Sequence, residues 1–135
     1  MLEAEINVKA GFYDLDPMEV VWHGNYPRYF EDARCALLDR IGYGYTEMRE
    51  SGFMWPVVDM RIKYIRPIVF DQAIRVIAQL VEYENRIRID YRIHDRASDD
   101  LLTTAQTTQV AVNLATKEMS FESPPVLIEK VERAL

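Results

Sequence analysis

Residues 14–26 read Asp14-Leu15-Asp16-Pro17-Met18-Glu19-Val20-Val21-Trp22-His23-Gly24-Asn25-Tyr26, which places an acid beside a proline, then a histidine, then residues suited to opening a helix. A carboxylate facing a helix N-terminus could hydrolyse an acyl group. The carboxylate would supply nucleophile or base, and the free N–H groups of the helix end would hold the developing oxyanion. Asp16 is the candidate for that carboxylate. Its ordinary alternative is a cap or turn residue, since Asp before Pro is common in loops. Asp14 could raise the proton affinity of its neighbour, or serve as a solvated or hydrogen-bonded loop residue. His23 offers a backbone N–H, and a side chain that could orient a substrate, bond Asp16 or do no chemistry.

Other side chains carry weaker signals. Trp22, Tyr26, Tyr29, Val58 and Met60 could line an apolar pocket or simply fill the core. Lys63, Arg66 and Arg88 could pair with an anionic group or be solvated strand charges. Glu31 and Asp32 lie on a helical stretch, where Arg28 and Arg34 are natural partners. Cys35 is expected as a small buried residue and not a nucleophile. His94 falls on the polar face of a strand. Two histidines and one cysteine argue against a zinc site, so no metal or other cofactor is expected. No Ser-x-Gly elbow, Walker loop or dinucleotide fingerprint occurs.

The elements that must position these residues follow from periodicity. Residues 3–13 alternate, with Ala4, Ile6, Val8, Ala10 and Phe12 on one face and Glu3, Glu5, Asn7 and Lys9 opposite, which predicts a half-buried strand. Tyr26, Tyr29, Phe30, Ala33, Leu37 and Ile41 recur at helical spacing. Asn25 is a candidate N-cap, Pro27 fits the first turn, and Gly42 fits the stop. From Val57 the period returns to two: 57–64 is a strand ended by Arg66-Pro67, then come 74–80, 87–93 and a long run 103–114, with turn signals near Glu84-Asn85 and at Ser98-Asp99-Asp100. Short turns imply antiparallel neighbours. Ser123-Pro124-Pro125 precedes a short C-terminal helix. Residues 42–55 are too irregular to place. The expected fold is α+β, a five-stranded antiparallel sheet wrapped around one long central helix, the hotdog fold.

At 135 residues, 49% hydrophobic and 28% charged, the chain reads as one soluble domain. A net charge of −6 argues against nucleic acid as a partner. No apolar run approaches the roughly 20 residues of a membrane span. The N-terminus lacks the pattern of a signal peptide, and the single cysteine fits a reducing compartment, so a cytoplasmic location is expected.

The run Asp16-x-x-x-Val20-Val21-Trp22-His23-x-Asn25-Tyr26, followed by Tyr29-Phe30-Glu31-x-Ala33-Arg34, resembles the 4-hydroxybenzoyl-CoA thioesterase family and its close YbgC-type acyl-CoA thioesterases. Tyr64-x-x-Pro67 followed by Asp71 resembles that family's second landmark. The resemblance implies hydrolysis of an acyl-CoA or acyl-carrier-protein thioester, with Asp16 as nucleophile or general base. It implies that the backbone N–H near His23 polarises the carbonyl, and that cationic side chains such as Lys63 and Arg66 meet coenzyme A phosphates at the surface. It also implies a homodimer joined edge to edge, often paired into a homotetramer, with sites at the subunit interface. Glu19 departs from the family pattern, in which many relatives carry glycine there. Glu31 is a reserve candidate, because another hotdog lineage uses a helix carboxylate. The alternatives are a hydroxyacyl-thioester dehydratase, a non-catalytic acyl-thioester binding module and a plain interaction domain.

Overall fold

The computed structural model describes residues 2–135. Strand β1 (Glu3–Lys9) leads through a loop to the long helix α1 (Tyr26–Arg40). A short helix α2 (Tyr45–Glu50) and strand β2 (Phe53–Met54) follow. Then come β3 (Val57–Tyr64), β4 (Ala73–Glu82), β5 (Ile87–Asp95), β6 (Leu101–Gln109), β7 (Val112–Asn113) and helix α3 (Pro125–Ala134). The main sheet runs β1-β4-β5-β6-β3 with every neighbouring pair antiparallel. Helix α1 lies on its inner face, so the expected α+β arrangement of five antiparallel strands around one long helix is the one formed.

The apolar stripe of α1 drives this packing. Tyr26, Tyr29, Phe30, Ala33, Leu37 and Leu38 are buried. They meet the inward residues of β4 and β5, with the rings of Phe30 and Tyr91 4.8 Å apart. The helix stops where expected. Gly42 takes φ +74°, a left-handed value that favours glycine, and its N–H reaches the Asp39 carbonyl at 3.0 Å. The Lys130 ammonium on α3 donates to the Gly42 carbonyl at 2.6 Å and ties the C-terminal helix to this corner.

Several expectations are corrected. The alternation of residues 3–13 does not continue past Lys9: Phe12–Asp14 winds into a 3₁₀ turn, leaving Phe12 and Tyr13 exposed. The run 103–114 is not one strand. It ends at Gln109, whose side-chain amide donates to the Trp55 carbonyl at 2.8 Å, and β7 pairs instead with β2. Residues 65–72 carry the chain from β3 across to β4, and β3 forms the sheet edge beside β6. Asn25 gives no side-chain cap to α1; its amide donates to the Asp14 carbonyl at 2.8 Å. Cys35 is exposed on the outer side of α1 rather than buried, though partial desolvation holds its thiol above the ordinary range. Residues 42–55 do contain structure, anchored by buried Tyr43 and Trp55, whose indole N–H donates to the Tyr43 hydroxyl at 3.2 Å.

The loop between β1 and α1 closes around one side chain. Asp14 is 2% exposed. Its Oδ2 accepts from the Gly11 N–H at 3.0 Å and the Tyr29 hydroxyl at 3.1 Å, and its Oδ1 pairs with the Arg28 guanidinium. Its own carbonyl accepts the Trp22 N–H at 2.9 Å in addition to the Asn25 amide. A buried carboxylate is tolerated only when its oxygens are satisfied in this way. Burial, and then the neighbouring Asp14 charge, push the Tyr29 phenol well above its ordinary range, so it stays a donor. Asp14→Ala would strand the Gly11 N–H and the Tyr29 hydroxyl. It should lower the unfolding free energy by about 3 kcal/mol, read from urea denaturation. A loss below about 1 kcal/mol would show that the loop does not need this anchor.

Candidate functional site

A cleft of about 260 Å³ opens beside the N-terminus of α1. It is lined by Asp16, Val20, Val21, His23 and Tyr26 from one side, and by Tyr64, Ile65, Arg66 and Pro67 from the other. The two sides are joined by the backbone: Val21 donates its N–H to the Ile68 carbonyl at 2.8 Å, and Val20 bridges Val69. The edge strand β3 and the crossing segment 65–72 therefore form the second wall.

Asp16 sits in a tight turn. Its Oδ1 accepts the N–H of Met18 at 2.8 Å and that of Val20 at 3.4 Å. Its backbone N–H donates to the Val20 carbonyl at 2.8 Å and its carbonyl accepts the Glu19 N–H at 3.0 Å. Oδ2 takes no hydrogen bond among the described residues. One oxygen thus fixes the carboxylate while the other is available to a ligand. This geometry is the Asp-Pro turn chemistry anticipated for such a sequence, and it does not use up the acid.

His23 opens a 3₁₀ turn, His23–Asn25, that runs directly into α1. The N–H groups of His23 and Gly24 stand at the start of this turn, where no preceding turn supplies acceptors. The Trp22 carbonyl accepts the Asn25 N–H at 2.9 Å, and the His23 carbonyl accepts the Tyr64 hydroxyl at 3.1 Å. Trp22 is half exposed and lies across Gly24, with its ring centroid 5.3 Å from that of His23. A Cβ at Gly24 would meet the indole, so a side chain there would require the half-exposed Trp22 ring to shift.

Tyr26 and Tyr64 meet edge to face, with centroids 4.8 Å apart. Burial raises both phenols above their ordinary value, so both are neutral at physiological pH. Arg66 reaches the cleft while pairing with Asp100 at 3.1 Å.

Of the residues singled out from the sequence, the cleft collects Asp16, His23, Tyr26 and Arg66. Trp22 borders the helix turn without lining the cleft. Val58 lies exposed near the start of β3, at a register shift, and Lys63 faces a separate hollow on the outer side of the sheet with Arg61 and Arg92. Arg88 faces Glu82 at 3.8 Å, and His94 hydrogen-bonds the Asp99 carbonyl at 3.0 Å. Glu31 and Asp32 are exposed on α1 and outside the cleft. Among the described residues no group of three or more His, Cys, Asp or Glu could hold a metal ion. No helix is long and apolar enough to cross a membrane among those residues. The cleft also uses Val20, Val21, Tyr64, Ile65 and Pro67, which the list of candidates omitted. The Tyr64-x-x-Pro67 spacing was the available signal for the far wall.

A family described as the thioesterase-like superfamily matches residues 10–131. Over 87 residues the chain is 30% identical to the protein named "Putative acyl-CoA thioesterase YneP" of Bacillus subtilis, a match spanning 64% of this chain and 62% of that protein's length. The crystal structure of DHNA-CoA thioesterase from Staphylococcus aureus superposes with a TM-score of 0.86 at 25% identity, over 98% of this chain and 91% of that one. Slr0204, a 1,4-dihydroxy-2-naphthoyl-CoA thioesterase from Synechocystis, shares the fold with a TM-score of 0.83 at 20% identity, over 98% of this chain and 94% of that one.

Glu19 closes the Asp16 turn at φ +66°, in the left-handed region that a residue with a Cβ enters at a cost of roughly 1–2 kcal/mol. The side chain that departs from the expected glycine therefore sits where glycine is conformationally preferred. Glu19→Gly should leave the protein as stable or up to about 1 kcal/mol more stable, the gain being trimmed by added unfolded-state freedom. Glu19→Val should cost at least about 1 kcal/mol. Thermal unfolding of both variants measures this, and equal stability of the two would contradict the strained turn.

Proposed function

The chain belongs to the thioesterase-like superfamily, and from that premise we propose that it hydrolyses acyl-CoA thioesters to a free acid and a thiol. The observation that carries this is the unengaged Oδ2 of Asp16 in the same cleft as the opening turn of α1. The thioester carbonyl would lie with its oxygen toward the N–H groups of that turn and its carbon toward Asp16. As general base, Asp16 takes a proton from water, the hydroxide adds to the carbonyl carbon, and the tetrahedral oxyanion collapses to expel the thiolate. As nucleophile, it adds directly and displaces the thiolate, and water then cleaves the resulting anhydride.

The cleft offers an aromatic wall to an acyl group. Its walls include the edge-to-face pair Tyr26 and Tyr64, and its volume of about 260 Å³ falls just below the ~300–1,000 Å³ typical of ligand pockets. An aromatic acyl-CoA fits those walls and agrees with the resemblance to 4-hydroxybenzoyl-CoA thioesterases, while an acyl-carrier-protein thioester is the alternative carrier. The shortfall in volume is consistent with a second copy completing the site. The unpaired β3 edge, with Val57, Val58 and Tyr64 exposed, offers the backbone groups for an edge-to-edge homodimer. In that assembly Arg66 at the rim and Lys63 on the outer face would be available to phosphates of the carrier.

Steady-state hydrolysis of aromatic, short aliphatic and long aliphatic acyl-CoAs tests the proposal. Asp16→Asn keeps the turn's acceptor but removes the base and nucleophile. It should lower kcat by on the order of 10² or more with little change in thermal stability. Wild-type rates at background across the panel, or full activity in Asp16→Asn, would overturn it. Loss of water from a hydroxyacyl thioester without thiol release would instead indicate a dehydratase.

A further inference from the structure

We propose that the hollow on the outer side of the main sheet is a second ligand site, separate from the cleft, which takes a diphosphate-bearing small molecule such as a nucleoside diphosphate. This goes beyond the hydrolysis proposed above and does not depend on it. The hollow has a volume of about 490 Å³, larger than the cleft and inside the ~300–1,000 Å³ range of ligand pockets. Arg61 and Lys63 of β3 and Arg92 of β5 line it, and Asp90 is the one acid among its lining residues. Three cations against one carboxylate give a local balance of +2, in a chain whose net charge is −6. Such a concave basic site draws anions by its local field even where the whole molecule repels them.

Pairing within the protein leaves most of that charge unused. Lys63 makes no ion pair among the described residues. Arg61 meets Asp59 at 3.4 Å, but its side chain is 80% exposed, and exposed pairs are weak. Arg92 reaches the Gln79 Oε1 at 3.4 Å and Glu3 at 4.0 Å, both at the limit of contact. Asp90 is engaged by a neutral donor, the Gln106 side-chain amide, at 2.8 Å. The spacing suits two linked phosphates. Arg61 and Lys63 lie two residues apart on one face of β3, about 7 Å along the strand. Lys63 is in register with Thr104 of β6, and Thr104 with Arg92 of β5. Two strand spacings therefore separate Lys63 from Arg92, about 10 Å. Thr104 is short, so the long side chains on either side can close over it. Each phosphate then meets a cation, and the two guanidiniums offer paired donors to phosphate oxygens.

The hollow faces away from the cleft. Successive strand residues point to opposite faces, so Tyr64 lines the cleft on the α1 side while Lys63 lines the hollow on the other. Lys63 stands on the edge strand, where a carrier could also meet it, but Arg92 lies two strands further in. The diphosphate is therefore assigned to a free ligand and not to the carrier of the acyl group.

Titration calorimetry with inorganic pyrophosphate, ADP and orthophosphate tests the site. Pyrophosphate and ADP should bind, more weakly as salt is raised, and orthophosphate about tenfold less tightly, having lost one phosphate's charge-assisted bonds. Arg61→Gln and Arg92→Gln should each weaken ADP about fivefold or more, while Arg66→Gln, on the cleft side, should leave ADP affinity unchanged. Should Arg92→Gln be poorly folded, Arg61→Glu reverses a charge on an exposed edge-strand side chain and should weaken ADP further than Arg61→Gln. No binding of ADP or pyrophosphate at millimolar concentration would overturn the inference, as would full affinity in the Arg61 variants. Orthophosphate binding as tightly as pyrophosphate would overturn the diphosphate assignment. The KM for the preferred acyl-CoA should be unchanged in Arg61→Gln. A KM that rises in step with the lost ADP affinity would identify the diphosphate as the carrier's own and overturn the separate site. Absence of hydrolysis by the wild type would remove the thioesterase proposal and leave this one to be decided by the calorimetry.

Discussion

A single buried carboxylate organises the end of the molecule that carries the cleft. Asp14 cannot sit inside the protein without donors, and it finds three of them in two parts of the chain: Gly11, just past β1, and the successive α1 residues Arg28 and Tyr29. Satisfying one carboxylate therefore fixes where the first strand stops, how the loop closes and how the long helix is rotated at its start. The Asp14 carbonyl extends the same control to Trp22 and Asn25, which frame the helix-opening turn. Each bond is ordinary in strength, and together they make the loop a defined structure instead of a flexible connection.

Two acids of the same type, two residues apart, consequently do different work. Asp14 spends both oxygens on the protein and keeps none for a ligand. Asp16, which lines the cleft, spends one oxygen on the N–H groups of its own turn and leaves the other without a hydrogen bond among the described residues. The difference arises from position, since the 3₁₀ turn at Phe12–Asp14 sends the first side chain inward and the bridge between Leu15 and Val21 leaves the second at the rim. The left-handed residue Glu19 belongs to the same closure: the Asp16 turn must reverse within four residues for Val21 to reach Ile68.

How much of this was legible in the chain depends on whether the cause was local. Helix α1 and strands β4 and β5 follow from periodicity, because each buries one face against the same core. Asp16, His23 and Tyr26 are contiguous and could be nominated together. Strand β1 was overextended because Phe12 keeps the period of two, and only the Asp14 hydrogen bond reveals that the backbone turns instead. The strand reading over 103–114 overruns because Val110 and Val112 keep a strand-forming composition past Gln109, while residues 112–113 pair with β2 instead, a tertiary event with no local mark. The burial expected of Cys35 failed for a related reason: the sheet covers only one side of α1, and Cys35 lies on the other. The far wall of the cleft was legible only as a spacing, Tyr64-x-x-Pro67, since nothing local says that β3 crosses to the sheet edge.

That crossing has a chemical consequence. Had β3 turned back as a hairpin onto β4, Tyr64 would lie inside the sheet, away from the start of α1. By taking the edge position beside β6, β3 brings its last residue to the His23 carbonyl and lends the cleft a second wall. The same placement leaves the β3 backbone unpaired on its outer side, an arrangement that isolated proteins usually shield. Edge exposure and cleft formation are thus two results of one topological choice. Whatever covers that edge must come close to Tyr64 and Arg66, so the packing partner of β3 and the shape of the cleft are physically linked. The backbone hydrogen bonds that would satisfy the edge would also restrain Tyr64, which hydrogen-bonds the helix-opening turn.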